Sequence, residues 1–237
     1  MRKTIAKNIQ NRNKDFRLRG HEVKRIEAFS DAVFAFAVTL LIVSLEVPKS
    51  FEELLATMKG FFAFGISFLF LMLIWYEQNM FFRRFALDDI TIIFLNGCLM
   101  FIVLFYVYPL KFLFSLMFNS FSTSVDIQQS QVPLLMYIYS AGYIIIYILF
   151  FFMYLHAWRK NEELELTAIE LYDTRTRMWA QLILILVGVL SVCTTSVLPP
   201  EKAGSAGFVY FLIGPAFSIY HSIRGRKRRK LQEGANE

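Results

Sequence analysis

Residues 25–48, Arg-Ile-Glu-Ala-Phe-Ser-Asp-Ala-Val-Phe-Ala-Phe-Ala-Val-Thr-Leu-Leu-Ile-Val-Ser-Leu-Glu-Val-Pro, decide how the chain reads. They place an ionisable residue, Asp31, at the mouth of an apolar helix long enough to cross a bilayer. Carrying an Asp to the centre of a membrane helix costs about 2.5–3.5 kcal/mol on insertion scales, and less near an end. Such a residue therefore faces partner helices or a water-filled path. The segment raises the question of what crosses the membrane.

The chain as a whole is apolar. Of its 237 residues 56% are hydrophobic, 26 are Phe, and the mean hydropathy is +0.47. Soluble domains sit near 45–50% apolar, so the composition excludes that class and makes the bilayer the solvent. Cys98 and Cys193 both fall inside apolar runs and read as small packing or lipid-facing residues, not as a disulfide or a metal pair. A net charge of +6 and a pI near 9.3 would suggest nucleic acid on a soluble surface. Here the charge lies at segment ends, and no nucleic-acid partner is expected.

Apolar runs occur at 29–47, 59–80, 90–116, 133–157, 178–198 and 206–221, which predicts six transmembrane helices. A span of about 20 residues covers the roughly 30 Å hydrocarbon core. Gly214 and Pro215 interrupt the last and shortest run and predict a kink. All but four of the 25 Lys and Arg residues cluster in the stretch before the first apolar run, Arg25 included, the Arg83-Arg84 turn, the Trp158–Arg177 connection and the tail from Arg224 to Lys230. The exceptions, Lys49, Lys59, Lys111 and Lys202, lie at the alternate loops. The positive-inside rule then places both termini in the cytoplasm, and an even number of crossings agrees with it. The expected organisation is a basic arm (1–24), a six-helix membrane domain (25–221) and a basic tail (222–237). The arm reads as a topogenic flank, and the tail as a stop-transfer anchor or a contact to anionic lipid. Asn161–Tyr172 reads as a short acidic amphipathic helix on the cytoplasmic surface, with Leu164, Ala168 and Leu171 on one face and Glu170 among the acids elsewhere. The uncharged Asn119–Gln131 connection suits the outer side.

Enzyme chemistry finds no footing. His21, His156 and His221 are far apart and lack metal-ligand spacing; no metalloprotease, nucleophile-elbow or phosphate-loop motif occurs, and Asp31 has no second intramembrane Asp beside it. The protein is expected to be no enzyme and to need no cofactor. The first helix offers a path lining instead. Ala32, Ala35, Phe36, Thr39, Leu40 and Val43 recur at three- and four-residue spacing, with Ser30, Asp31 and Glu46 near the two ends. Several copies around an axis would give a hydroxyl ring at Thr39, apolar constrictions at Phe36 and Val43, and an acidic ring at Glu46. Spacing alone reads more simply as ordinary helix packing, with Thr39 bonded to its own backbone.

The run Arg25-Ile-Glu-Ala-Phe29-Ser30-Asp31 followed by Thr39-Leu40-Leu41 resembles the Phe-Ser-Asp signature opening the first helix of the lysosomal potassium channel family, transmembrane protein 175, in its bacterial single-repeat branch. The resemblance covers nearly the whole chain. It implies an all-α integral membrane protein with six helices and cytoplasmic termini, assembled as a homotetramer with the first helix lining the pore. It also implies that Arg25, Phe29, Ser30 and Asp31 anchor the cytoplasmic end of that helix. Trp75 and Asn96 would hydrogen-bond within the cluster, so that Asp31, beside Arg25, the indole and the amide, is buried but satisfied.

Two positions depart from the family pattern. The narrowest layer, an Ile or Leu in the family, is Phe36 here, while the Thr layer is kept at Thr39, with Leu40 offset and Val43 next. Gln78 stands where the family commonly has a His, and an amide does not titrate near neutral pH. No Thr-Val-Gly-Tyr-Gly filter occurs. The expected function is a potassium-preferring cation channel of a prokaryotic plasma membrane, conducting passively, with potassium ions, membrane lipid and further copies of itself as partners. The rival readings are a secondary transporter, suggested by Gly214 and Pro215, and a non-conducting scaffold or sensor working through the acidic segment and basic tail.

Overall fold

The computed structural model of the protein describes residues 16–43, 49–59, 61–119 and 127–234. Among these residues every regular element is helical: α1 (Arg25–Val43), α2 (Phe51–Lys59), α3 (Phe61–Phe85), α4 (Ile90–Asn119), a 3-10 turn (Gln129–Gln131), α5 (Val132–Arg159), α6 (Ala168–Val197), a 3-10 stretch (Pro200–Leu212) and α7 (Ile213–Gly234). Five stretches among the described residues are long and apolar enough to cross a bilayer: Phe61–Phe85, Ile90–Leu113, Gln129–Arg159, Ala168–Val197 and Pro200–Arg228. The remaining expected span is α1, whose 19 residues cover about 28 Å. Its charged residues, Arg25, Glu27 and Asp31, all lie at its N-terminal end.

The core is aromatic at the end nearest the chain's termini. Phe81, Phe82 and Phe85 of α3 and Phe150 and Tyr154 of α5 are fully buried, with Phe81 edge-on to Tyr154 at 5.3 Å and tilted on Phe85 at 5.1 Å. Edge and tilted contacts suit the ring quadrupoles better than face-to-face stacking. α5 and α6 approach closely because Gly188 has no side chain, since a Cβ there would lie 2.6 Å from Ile144 Cγ1.

Helix boundaries differ from the apolar runs where polar side chains supply the missing partners. α3 continues past residue 80 to Phe85, with Arg83 and Arg84 in its last turn, where cations complement the exposed carbonyls. It ends at Ala86, whose N–H still closes the last helical bond to the Phe82 carbonyl at 2.8 Å and whose φ of 50° then turns the chain away. A non-glycine residue in the left-handed region costs about 1–2 kcal/mol, and Lys24 Nζ offsets this by binding the Ala86 carbonyl at 2.6 Å. Asp89 then caps α4, accepting from the N–H groups of Thr91 (3.0 Å) and Ile92 (3.2 Å).

Three expectations are corrected. First, Asn161–Tyr172 is not one amphipathic helix. The chain turns through Glu165 at φ 48° and restarts at Thr167, which caps α6 in a reciprocal box with Glu170. Glu170 is buried rather than on a solvated acidic face. Second, residues 16–20 of the arm are a packed strap, not a bare flank. Arg19 binds both oxygens of Glu170 at 3.1 and 2.9 Å, the Arg17 N–H binds one of them at 2.6 Å, and Phe16 sits edge-on to Phe85 beneath the Arg84 guanidinium. The strap lies so close to α3 that a Cβ on Gly20 would meet the Phe82 carbonyl at 2.9 Å. Third, the last span is not a kinked α-helix over 206–221. It is a 3-10 stretch from Pro200 followed by α7, which runs on through the basic tail. Pro215 falls in the first turn of α7, where its missing N–H removes no intrahelical bond.

Candidate functional site

α1 is fixed in rotation by a directional hydrogen-bond chain. The Gln78 amide of α3 donates to Asn96 Oδ1 of α4 at 3.0 Å, the Asn96 amide donates to Ser30 Oγ at 2.8 Å, and the Ser30 hydroxyl donates to the Ile26 carbonyl at 2.8 Å. All three side chains are buried, so each unmade bond would carry a desolvation cost of about 1–3 kcal/mol. Alongside them, the Trp75 indole donates to Asp31 Oδ1 at 2.7 Å.

This chain determines what α1 turns outward. With 3.6 residues per turn, Thr39 lies about 180° from Ser30, Ala32 and Ala35 fall within about 40° of that direction, Phe36 about 60° from it, and Leu40 about 100° off at the flank. Burial follows the same order. Ser30, Phe34, Ala37 and Leu41 are covered, Leu40 is half-covered, and Ala32, Ala35, Phe36 and Thr39 are exposed. Phe36 is 56% exposed and Phe29 62%, large apolar surfaces left open by the chain. The Thr39 hydroxyl gives its proton to the Ala35 carbonyl at 2.9 Å, which leaves oxygen lone pairs available to a cation. At the far end Lys111 Nζ of α4 binds the Leu41 carbonyl at 3.1 Å, placing positive charge against the last turn of α1.

The residues singled out in the sequence are thus only partly brought together. Ser30, Asn96 and Gln78 form one chain, and Trp75 and Asp31 form a separate pair. The expected burial of Asp31 between Arg25 and Asn96 is not found. Asp31 is exposed, its partner among the described residues is Trp75, and Asn96 turns to Ser30 instead. Arg25 is exposed and makes no ion pair among the described residues. Glu46 and the side chain of Val43 lie outside the described residues.

Glu77 was missed. It accepts from Tyr154 of α5 at 2.9 Å and, through α6, from Arg177 at 3.2 Å and Gln181 at 3.0 Å, joining α3 to the second half of the bundle. The signal was a carboxylate inside the 59–80 apolar run, where an ionisable side chain demands a partner. Among the described residues no group of three or more His, Cys, Asp or Glu side chains could hold a metal ion.

Comparison with known proteins places this architecture. The sequence profile of the family described as Endosomal/lysosomal potassium channel TMEM175 matches residues 25–106, which hold α1, α3 and both hydrogen-bond systems. A potassium channel of Marivirga tractuosa is 35% identical over 245 aligned positions, covering 98% of this chain and 99% of that protein. The crystal structure of the potassium channel MtTMEM175, a single-residue variant bound to a nanobody–MBP fusion, superposes with a TM-score of 0.78 at 34% identity, covering 90% of this chain and 97% of that one. A lysosomal potassium-selective channel TMEM175 homolog from Chamaesiphon minutus gives a TM-score of 0.51 at 25% identity, over 82% and 95% of the two chains. With a shared fold and a relative aligned along its full length, the chain belongs to the TMEM175 family.

Proposed function

We propose that the protein is a potassium channel of a prokaryotic plasma membrane, with both termini cytoplasmic and four copies placing α1 around a central path. The observation that carries this reading is the rotational lock on α1. The Asn96 amide, itself held by Gln78, ties Ser30 of α1 to α4, and Trp75 ties Asp31 to α3, while Ala32, Ala35, Phe36 and Thr39 are left uncovered. The relatives aligned along most of the chain are named potassium channels, which supports the choice of ion. α1 is then the sixth span.

Passive flow follows from the order of residues along the open stripe. A potassium ion entering from the cytoplasm meets the narrowest apolar layer at Phe36, where four ring faces offer about 0.5–2 kcal/mol per contact to a partly dehydrated cation. One turn on, the Thr39 oxygens replace lost water. Val43 forms a second apolar layer and Glu46 an acidic ring at the outer mouth, raising local cation concentration. Asp31 holds the helix through Trp75 and does not enter the path. Gln78 occupies its place in the clasp as an amide, so no proton switch operates there.

The test is potassium flux into liposomes containing purified protein, with Phe36→Ala beside the native chain. Flux above empty liposomes, increased by Phe36→Ala, is expected. Flux indistinguishable from empty liposomes for both proteins would overturn the reading.

A further inference from the structure

The face of α5 and α6 at the end nearest the chain's termini carries a groove that the α1 path does not use. Phe151, Trp158, Arg175, Met178, Trp179 and Leu182 line a volume of about 290 Å³. Apart from Arg175 the lining is apolar or aromatic. Both indoles are substantially open, Trp158 at 37% and Trp179 at 45%.

Depth fixes what this groove meets. α6 has 30 residues and is about 45 Å long, against a hydrocarbon core of about 30 Å, so its first turns stand at headgroup level. Arg175 lies in that region, Trp179 one turn deeper, and Leu182 deeper still. On α5, Trp158 sits beside the helix end and Phe151 about two turns inward. Tryptophan is the side chain favoured at the level where headgroups give way to acyl chains. Arg175 is exposed and has no carboxylate partner among the described residues. By contrast Arg177 holds Glu77, Lys160 holds Asp89 and Glu163, and Arg228 holds Asp173.

We propose that this groove binds one anionic phospholipid from the leaflet facing the termini. Its phosphate pairs with Arg175, the two indoles bracket the glycerol region, and an acyl chain lies against Phe151, Met178 and Leu182. A cation beside an apolar groove at headgroup depth matches a lipid in both charge and shape.

The experiment uses the full chain in phosphatidylcholine liposomes doped with a trace of brominated phosphatidylglycerol or, separately, brominated phosphatidylcholine, and reads tryptophan fluorescence. One basic side chain at an anionic surface implies about fivefold enrichment of the charged lipid, so brominated phosphatidylglycerol is expected to quench more strongly. The preference should shrink as salt rises. Arg175→Gln should abolish it and Lys202→Gln, at the opposite membrane face, should not. The double variant Trp158→Phe/Trp179→Phe leaves only Trp75 and should show no preference. Equal quenching by the two lipids in the native protein would mean an ordinary neutral lipid fills the groove. Quenching by neither would mean another copy of the chain covers it, and retention of the preference in Arg175→Gln would place the charge elsewhere. Each of these overturns the proposal. No ion flux enters the readout, so the result is independent of the channel reading.

Discussion

Two buried polar chains cross the bundle, one in each half, and each ends on a helix carbonyl. In the first half Gln78, Asn96 and Ser30 link α3, α4 and α1 and finish at Ile26. In the second, Tyr210 of the 3-10 stretch donates to Ser140 of α5 at 3.0 Å, Ser140 to Ser191 of α6 at 3.2 Å, and Ser191 to the Ala206 carbonyl at 3.2 Å. The first is built on planar amides, whose donor and acceptor directions are fixed. The second is built on hydroxyls, which rotate to suit. An amide chain can hold a helix at one angle about its axis; a hydroxyl chain mainly satisfies polar atoms inside a packed interface. Under the proposed function the difference falls where it is needed, since α1 would keep one stripe turned outward whereas α5 and α6 need only stay packed.

Glu77 belongs to neither chain and joins the halves they hold, so its loss should be the largest effect. Glu77→Leu leaves the buried Tyr154 hydroxyl and Gln181 amide without their acceptor, each at about 1–3 kcal/mol, and also releases the half-covered Arg177. Thermal unfolding in detergent should register this as the deepest destabilisation among the variants named here. Asn96→Leu comes next. It orphans the Gln78 amide at about 1–3 kcal/mol and also frees α1 to rotate, so potassium flux should fall even in protein that still folds. Ser191→Ala should cost only about 0.5–1.5 kcal/mol and leave flux unchanged. If Asn96→Leu and Ser191→Ala behaved alike in both assays, the contrast between the two chains would fail.

The smallest effect concerns acid. Partial burial pushes the Asp89 carboxyl up, but the hydrogen bonds from His156, the Ile92 N–H and Lys160 outweigh it and hold the group below its ordinary value. A folded value below the unfolded one gives stabilisation that is complete above the ordinary carboxylate range, near pH 3.9, and that fades as pH falls through the folded value. The native protein should therefore lose thermal stability on acidification more steeply than Asp89→Asn, measured as melting temperature against pH below about 5.

The apolar runs made the later spans legible because hydrocarbon length is a local property of sequence. Ser30, Trp75 and Asn96 were legible as a group through resemblance to a known family, and Gln78 as a position that departs from it. Their pairing was not, because which amide meets which hydroxyl depends on helix rotation that no single segment encodes. The same limit explains Glu170, whose burial depends on Arg19 from the other end of the chain. It also explains the 3-10 stretch. There Ala203 and Ala206, three residues apart, are both fully buried, a period the apolar run alone did not display because Gly204 and Gly207 dilute it. Glu77 was hidden for a simpler reason: a charge within an apolar run announces a partner but not that Arg177, at the start of a different span, supplies it.

The central claim is that the stripe opposite Ser30 faces the ion path. It is tested most directly by recording potassium current from Thr39→Cys in a background where Cys98 and Cys193 are replaced by Ala, before and after a cationic, water-soluble thiol reagent. Irreversible loss of current on modification is the predicted result, with the Cys-free background unaffected. Current that persists unchanged after Thr39→Cys has been fully modified would contradict the account.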